Sequence, residues 1–240
     1  MSYFESRLPA DFNNFNEILE KLEFCEKLGI KNIILEPKNK LLAIPLELKN
    51  KLIKKINLNI YYRINLKLDN VEDFKKRINH FNKFYDILSI ESFNKDVQLQ
   101  AARDSRVDLV SFSNPEIIKT LTPGVISLTK QNKSFLEFSL APIMITNKAI
   151  QSKNFRNLYR FIQLALKFKA SCIISGNFED NYNLRHPRAL ISICHSLLGI
   201  SLDRAKKIFR LNPILLLERT QKHIVSTPEP EIRLIKGEDS

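Results

Sequence analysis

Glu137 lies in the run Phe135–Leu140, where Phe135, Glu137 and Ser139 alternate with Leu136, Phe138 and Leu140. Successive side chains of a strand face opposite sides. The leucine-rich set suits a helix-covered exterior, so Glu137 is expected to point into an interior. Ile60–Leu68 divides in the same way, with Tyr62, Ile64 and Leu66 outward and Arg63 and Asn65 inward. Glu137 then reads either as an active-site acid or as one half of a structural ion pair with Arg63. The pair is favoured, because a lone buried carboxylate is costly unless it is paired or protonated.

Three basic groups could meet an anionic partner. Arg103 and Arg106 stand beside Asp104 and Asp108 in a helix-to-strand turn. There either an aspartate locks the corner by ion pairing or the arginines present a surface to phosphate or protein. Lys153, Arg156, Arg160 and Lys167 fall within about 60° of one another on a helix of 3.6 residues per turn, away from its apolar face. Arg185, His186 and Arg188 occupy a loop and the first turn of a helix, whose free N–H groups also favour anions. Each of the last two groups is an RNA-binding or partner-binding candidate, set against a plainly solvated surface.

Other chemistry finds little support. His80, His186, His195 and His223 form no H-x-H pair, and Cys25, Cys172 and Cys194 are isolated in apolar contexts. The expectation is no metal site and three buried thiols in a reducing compartment. Only five glycines occur, with no G-x-G-x-x-G or P-loop, which argues against a phosphate-cradling loop. The net charge of +12 and pI near 9.6 favour an anionic partner, nucleic acid being the commonest. No apolar run is long enough to cross a membrane. MSYFESRLPADF lacks the unbroken apolar stretch of a signal peptide. The expected location is cytoplasmic.

The elements that must position these residues alternate. Asp11–Asn14 caps a helix carrying Phe15, Ile18, Leu19, Leu22 and Cys25 on one face; Gly29 ends it, and a strand follows at Asn32–Leu35. Strands are expected at Tyr3–Leu8, Ile60–Leu68, Tyr85–Ile90, Val107–Phe112, Phe135–Leu140 and Ser171–Ser175. Helices are expected from Asn70 to about Phe81, up to about Asp104, after Asn114-Pro115, and over Ser152–Lys169. The last of these has Phe155, Leu158, Tyr159, Ile162 and Ala165 on its inner face. Two more follow at Ser201–Leu211 and from Pro213 to about His223, the second capped by Asn212. Residues 1–223 form one domain, and 224–240 read as a flexible tail. Seven or so strands alternating with helices imply a parallel sheet that tends to close. The expected fold is α/β, an incomplete or distorted (β/α) TIM-like barrel, with a doubly wound open sheet as the alternative.

Three segments carry a resemblance: AARDSRVDLVSF (Ala101–Phe112), LEFSLAP (Leu136–Pro142) and NLRHPRAL (Asn183–Leu190). In this order and spacing, within Phe15–Leu198, the chain resembles ribonuclease P protein component 3, the archaeal relative of the 30-kDa subunit of eukaryotic ribonuclease P. The resemblance implies a barrel similar to that of polymerase-and-histidinol-phosphatase enzymes, whose first strand carries an H-x-H metal motif. Here that strand reads YFESRL. It also implies a subunit that supports RNA-catalysed removal of the 5′ leader from precursor tRNA. The expected partners are ribonuclease P RNA, precursor tRNA, protein component 2 and other protein subunits. No cofactor is expected on the protein, Mg2+ being held by the RNA, and no catalytic residue. The alternatives are an autonomous metal-dependent phosphoesterase with displaced ligands and a general basic RNA-binding scaffold.

Overall fold

The computed structural model describes residues 2–38, 44–79 and 85–226, with side chains up to 221. Seven parallel strands stand in chain order: β1 (Phe4–Ala10), β2 (Asn32–Pro37), β3 (Asn59–Lys67), β4 (Ile87–Glu91), β5 (Leu109–Phe112), β6 (Phe135–Ser139) and β7 (Cys172–Ser175). The helices are α1 (Phe15–Lys27), α2 (Leu46–Lys55), α3 (Val71–Ile78), α4 (Lys95–Arg103), α5 (Pro123–Asn132), α6 (Lys148–Lys167), α7 (Pro187–Ser196) and α8 (Leu202–Ser226). Each strand pairs with the next, and the sheet curls into a nearly closed, TIM-like barrel. Among the described residues no helix is long and apolar enough to cross a membrane.

Strand alternation sorts the chain into layers. One set of side chains, including Leu35, Ile64, Leu66, Ile90, Val110, Leu136, Phe138 and Ile174, packs outward against the helices in the principal core. The other set fills the lumen. At the strand N-termini it is apolar: Phe4, Ile34, Tyr61, Ile87, Leu109, Phe135 and Ile173, plugged from below by Leu216 and Leu217 of α8. Above this floor the lumen is polar. β1 bulges between Glu5 and Leu8, so that Arg7 points inward while Leu8 joins the outer core.

Several expected boundaries shift. α2 had no counterpart in the sequence reading. Asn114 does not cap an α-helix: its side chain accepts the Glu116 N–H at 2.8 Å, a short 3-10 turn follows over Ile117–Thr120, and α5 starts only at Pro123. Thr122-Pro123 is a second cap-and-proline pair, and Thr122 Oγ1 accepts from Val125 N–H. The two helices expected around Asn212 are one, α8, with Pro213 inside it. Proline removes one helical hydrogen bond, but Phe209 on one side and Leu216 on the other are buried and hold the helix together. Asn212 is no cap; its amide donates to the Cys172 carbonyl at 2.7 Å. Tyr159, expected on the inner face of α6, is 44% exposed, at the edge of the stripe that buries Leu158, Ile162 and Ala165. Phe81 and residues 227–240 of the expected tail lie outside the described residues, and 224–226 continue α8.

Candidate functional site

In a (β/α) barrel the strand C-termini ordinarily carry the reactive groups. Here the lumen beneath them is spanned by a charged network. Arg63 (β3) and Glu137 (β6) are both fully buried and meet end-on, Nη1 to Oε1 at 2.7 Å and Nη2 to Oε2 at 2.8 Å. Arg7 Nη2 donates to Glu36 Oε1 at 2.8 Å and lies 3.5 Å from Glu91, while Arg7 Nη1 lies 3.5 Å from Glu137. Arg63 Nε stands 2.8 Å from Glu36 Oε2, close enough for attraction but outside hydrogen-bond geometry. Ser89, Ser111 and Ser175 fill the gaps: Ser89 accepts from Arg63, and the other two donate to Glu137. Two guanidiniums thus face three carboxylates, so both cations are neutralised within the lumen and one negative charge is left over.

The electrostatics follow. Burial pushes Glu137 upward, but the Arg63 and Arg7 guanidiniums and the hydrogen bonds outweigh it and hold the carboxyl at about 2. Burial alone would lower Arg7; the carboxylates of Glu36, Glu137 and Glu91 overcome that and raise it. Glu137 is therefore ionised near neutral pH and poorly suited to donate a proton there.

A cleft of about 520 Å³ opens above the network, with Arg7, Glu36 and Glu91 on its floor and Lys38, Lys67, Arg77 and Glu179 on its walls. Glu91 is already engaged, accepting from Asn65 at 2.8 Å and from Ser113. Among the described residues no group of three or more His, Cys, Asp or Glu side chains is placed to hold a metal ion. The thiols of Cys25, Cys172 and Cys194 are buried and raised by that burial, the last two to about 12.

The basic groups lie elsewhere. At the α4–β5 corner, on the strand N-terminal face, Arg106 grips Asp104 through Nε at 2.9 Å and Nη2 at 2.7 Å and reaches Asn79 at the end of α3. Asp104 is buried enough to be pushed up, yet these bonds leave it lowered. Asp108 pairs with neither Arg103 nor Arg106. It is held by Arg219 of α8 and itself accepts the Leu88 N–H at 2.9 Å. Burial raises it to about 6 in spite of Arg219. Arg103 is exposed, without a hydrogen bond or ion pair among the described residues. On α6, Lys153, Arg156, Arg160 and Lys167 are all exposed, running from the strand C-terminal end to the opposite end; Arg160 also lies 5.6 Å from the Phe161 ring centroid. Arg185 folds back onto the carbonyls of Tyr182 and Leu184, while Arg188 is exposed. The N–H of Arg188 is already taken by His186 Nδ1 at 3.0 Å, so one of the anion-binding donors expected there is spent.

Sequence reasoning missed Arg7, Glu36, Glu91 and Arg219. Alternation from Ile34 to Glu36 would have found the second, and from Ser89 to Glu91 the third. The bulge hides Arg7, and Arg219 is one of many cations on a long helix.

A family model described as RNase P subunit p30 matches residues 3–224. This chain belongs to that family. It is a protein subunit of ribonuclease P. Among solved structures it is similar to a chain from a cryo-EM structure of archaeal ribonuclease P with mature tRNA, with a TM-score of 0.75 and 15% identity over 99% of this chain and 100% of that one. A putative prolidase from Bifidobacterium longum shares the barrel, with a TM-score of 0.63 and 9% identity over 91% of this chain and 70% of that one. So does A. niger ochratoxinase, at a TM-score of 0.56 and 10% identity over 90% and 71%.

Proposed function

We propose that this p30-family subunit contributes no catalytic group to ribonuclease P. In this reading it binds ribonuclease P RNA and precursor tRNA in a cytoplasmic particle, beside protein component 2 and other subunits. The RNA holds the Mg2+ ions and carries out removal of the 5′ leader. The observation that carries the reading is the contrast between lumen and surface. The lumen, where barrel enzymes place reactive groups, spends both of its cations, Arg7 and Arg63, on buried carboxylates, whereas Arg103, Lys153, Arg156, Arg160 and Lys167 are offered to solvent. Each phosphate neutralised by such a cation releases counterions, which lets a protein of this charge stabilise a compact RNA at lower magnesium.

Rigorously RNA-free protein, assayed on precursor tRNA with Mg2+, is expected to give no cleavage. Addition of the cognate RNA and partner subunits is expected to give cleavage at the mature 5′ end at reduced Mg2+. Metal-dependent cleavage by the protein alone would favour the autonomous phosphoesterase, with the cleft above Glu36 and Glu91 as its site. Co-purification with an unrelated RNA alone would favour a general scaffold.

A further inference from the structure

Four helices are followed within three residues by one in the left-handed region, and they do not use the same side chain there. It is Gly29 (φ 72) after α1 and Gly199 (φ 64) after α7, but Lys133 (φ 57) after α5 and Lys169 (φ 55) after α6. The backbone closure of α1, α5 and α6 is the same. Gly29, Lys133 and Lys169 donate to Glu26, Lys130 and Leu166, and the next residues, Ile30, Ser134 and Ala170, each donate to a carbonyl five positions back at 3.0 Å. Glycine is the residue that adopts this conformation without steric cost, and a Cβ makes it unfavourable. α5 and α6 thus carry lysine where the fold itself would be better served by glycine.

The two lysines are neighbours on one surface. They stand just before β6 and β7, whose first residues sit in the paired register Leu109–Phe135 and Leu136–Cys172 beside β5. Asn132, next to Lys133, donates to the Asp104 carbonyl at 2.7 Å and so joins this corner to the one carrying Arg103 and Arg106. Lys130 and Lys167 occupy the last turns of the same helices. Arg103, Arg106, Lys130, Lys133, Lys167 and Lys169 are all exposed. The nearby carboxylates are spent, Asp104 on Arg106 and Asp108 on Arg219. The helix dipole accounts for cations in a last turn; it does not account for lysine at the left-handed position beyond it.

We infer that the strand N-terminal face of the barrel, at the α4–β5, α5–β6 and α6–β7 corners, is the surface that holds the RNA phosphate backbone, with Lys133 and Lys169 kept at unfavourable backbone positions for that contact. The assignment rests on the RNA-binding reading above. Lys167 joins this surface to the stripe on α6, so a strand of phosphates can pass from the corners onto the helix wall.

The test uses the full chain and ribonuclease P RNA. The salt dependence of affinity is measured first for the unaltered protein; absence of salt-sensitive binding would remove the reading on which this surface rests, and the surface with it. For the double variant Lys133→Gly/Lys169→Gly the melting temperature is expected to stay level or rise, because glycine relieves both positions. The slope of log affinity against log salt is expected to flatten by about 1.4 to 1.8, two phosphates at 0.7 to 0.9 each. Lys133→Arg/Lys169→Arg should restore it. An unchanged slope in the glycine variant, beside normal binding by the parent, overturns the surface alone. So does a lowered melting temperature, or loss of association with the other protein subunits at unchanged RNA affinity, which would make this face a protein interface.

Discussion

The carboxylate of Glu5 accepts the N–H of Gly176 at 3.0 Å, across the seam where the first and last strands of the barrel meet. Among the described residues no backbone ladder joins β1 to β7, so a side chain performs there what strand pairing performs elsewhere. Gly176 is required by this arrangement. A Cβ built on it would stand 2.8 Å from the Phe178 ring and 2.9 Å from Glu5 Oε2. Gly176→Ala is expected to cost about 1–3 kcal/mol, the usual penalty for overpacking, read by chemical denaturation. A neutral substitution would mean that the seam is slack.

Glu5 makes the stability of the seam depend on pH. Burial lifts its carboxyl from 4.5 to about 7, against the opposing hydrogen bonds from the backbone of Arg7, Gly176 and Asn177. The folded state therefore binds the proton more tightly than the unfolded chain. The stability it contributes is full below about pH 4.5 and is lost as pH rises through about 7. Glu5→Gln keeps an acceptor oxygen but cannot ionise. Its stability relative to the parent should climb between pH 5 and 8, and a difference that stays flat over that range would show that Glu5 is not the titrating group.

Glu137 carries the opposite sign. Held at about 2, it stabilises the fold above its ordinary value of 4.5, and that contribution fades as pH falls toward 2. Glu137→Ala and Arg63→Ala should each cost roughly 3–5 kcal/mol, since each leaves a buried charge behind. Removing both should cost less than the sum. Strict additivity in the double-mutant cycle would dissolve the pair as an energetic unit, despite its 2.7 Å geometry.

Arg219 ties α8 to the barrel floor through Asp108 and through the Ser105 carbonyl at 2.8 Å. Arg219→Ala leaves Asp108, only 5% exposed, without its counter-charge. The expected loss is about 3 kcal/mol, with faster protease cleavage within α8 as Leu216 and Leu217 leave the floor. Asp108→Asn in the same background should recover part of the loss. If it recovers none, the tether works through Ser105 or through packing instead.

Much of this molecule was legible in its sequence because alternation is a local signal. Glu137 and Arg63 announce an inward direction through their apolar neighbours, and six of the seven strands are marked by short apolar runs. The illegible parts are non-local or break the period. The bulge in β1 shifts Arg7 by one position, which no pattern in FESRLPA reveals. Asp108 looked equally available to Arg103 and Arg106, yet its partner comes from a residue 111 positions away. α8 was split at Pro213 because proline's local cost is visible and the burial of its flanks is not.

Arg103 and Arg106, three residues apart, should separate by experiment. Arg106 holds Asp104 and Asn79, but it is half exposed, so Arg106→Ala should cost only about 0.5–1 kcal/mol. It also loosens the corner on which Arg103 stands. Arg103 has no hydrogen bond or ion pair among the described residues, and Arg103→Ala should leave stability unchanged to within about 0.5 kcal/mol. If the corner faces phosphate, that variant should still flatten the salt dependence of RNA affinity by about 0.7–0.9. Lys153→Gln, at the far end of the stripe on α6, supplies the comparison. A slope lost from Lys153 but not from Arg103 would move the RNA from the strand N-terminal face to the outer wall of α6.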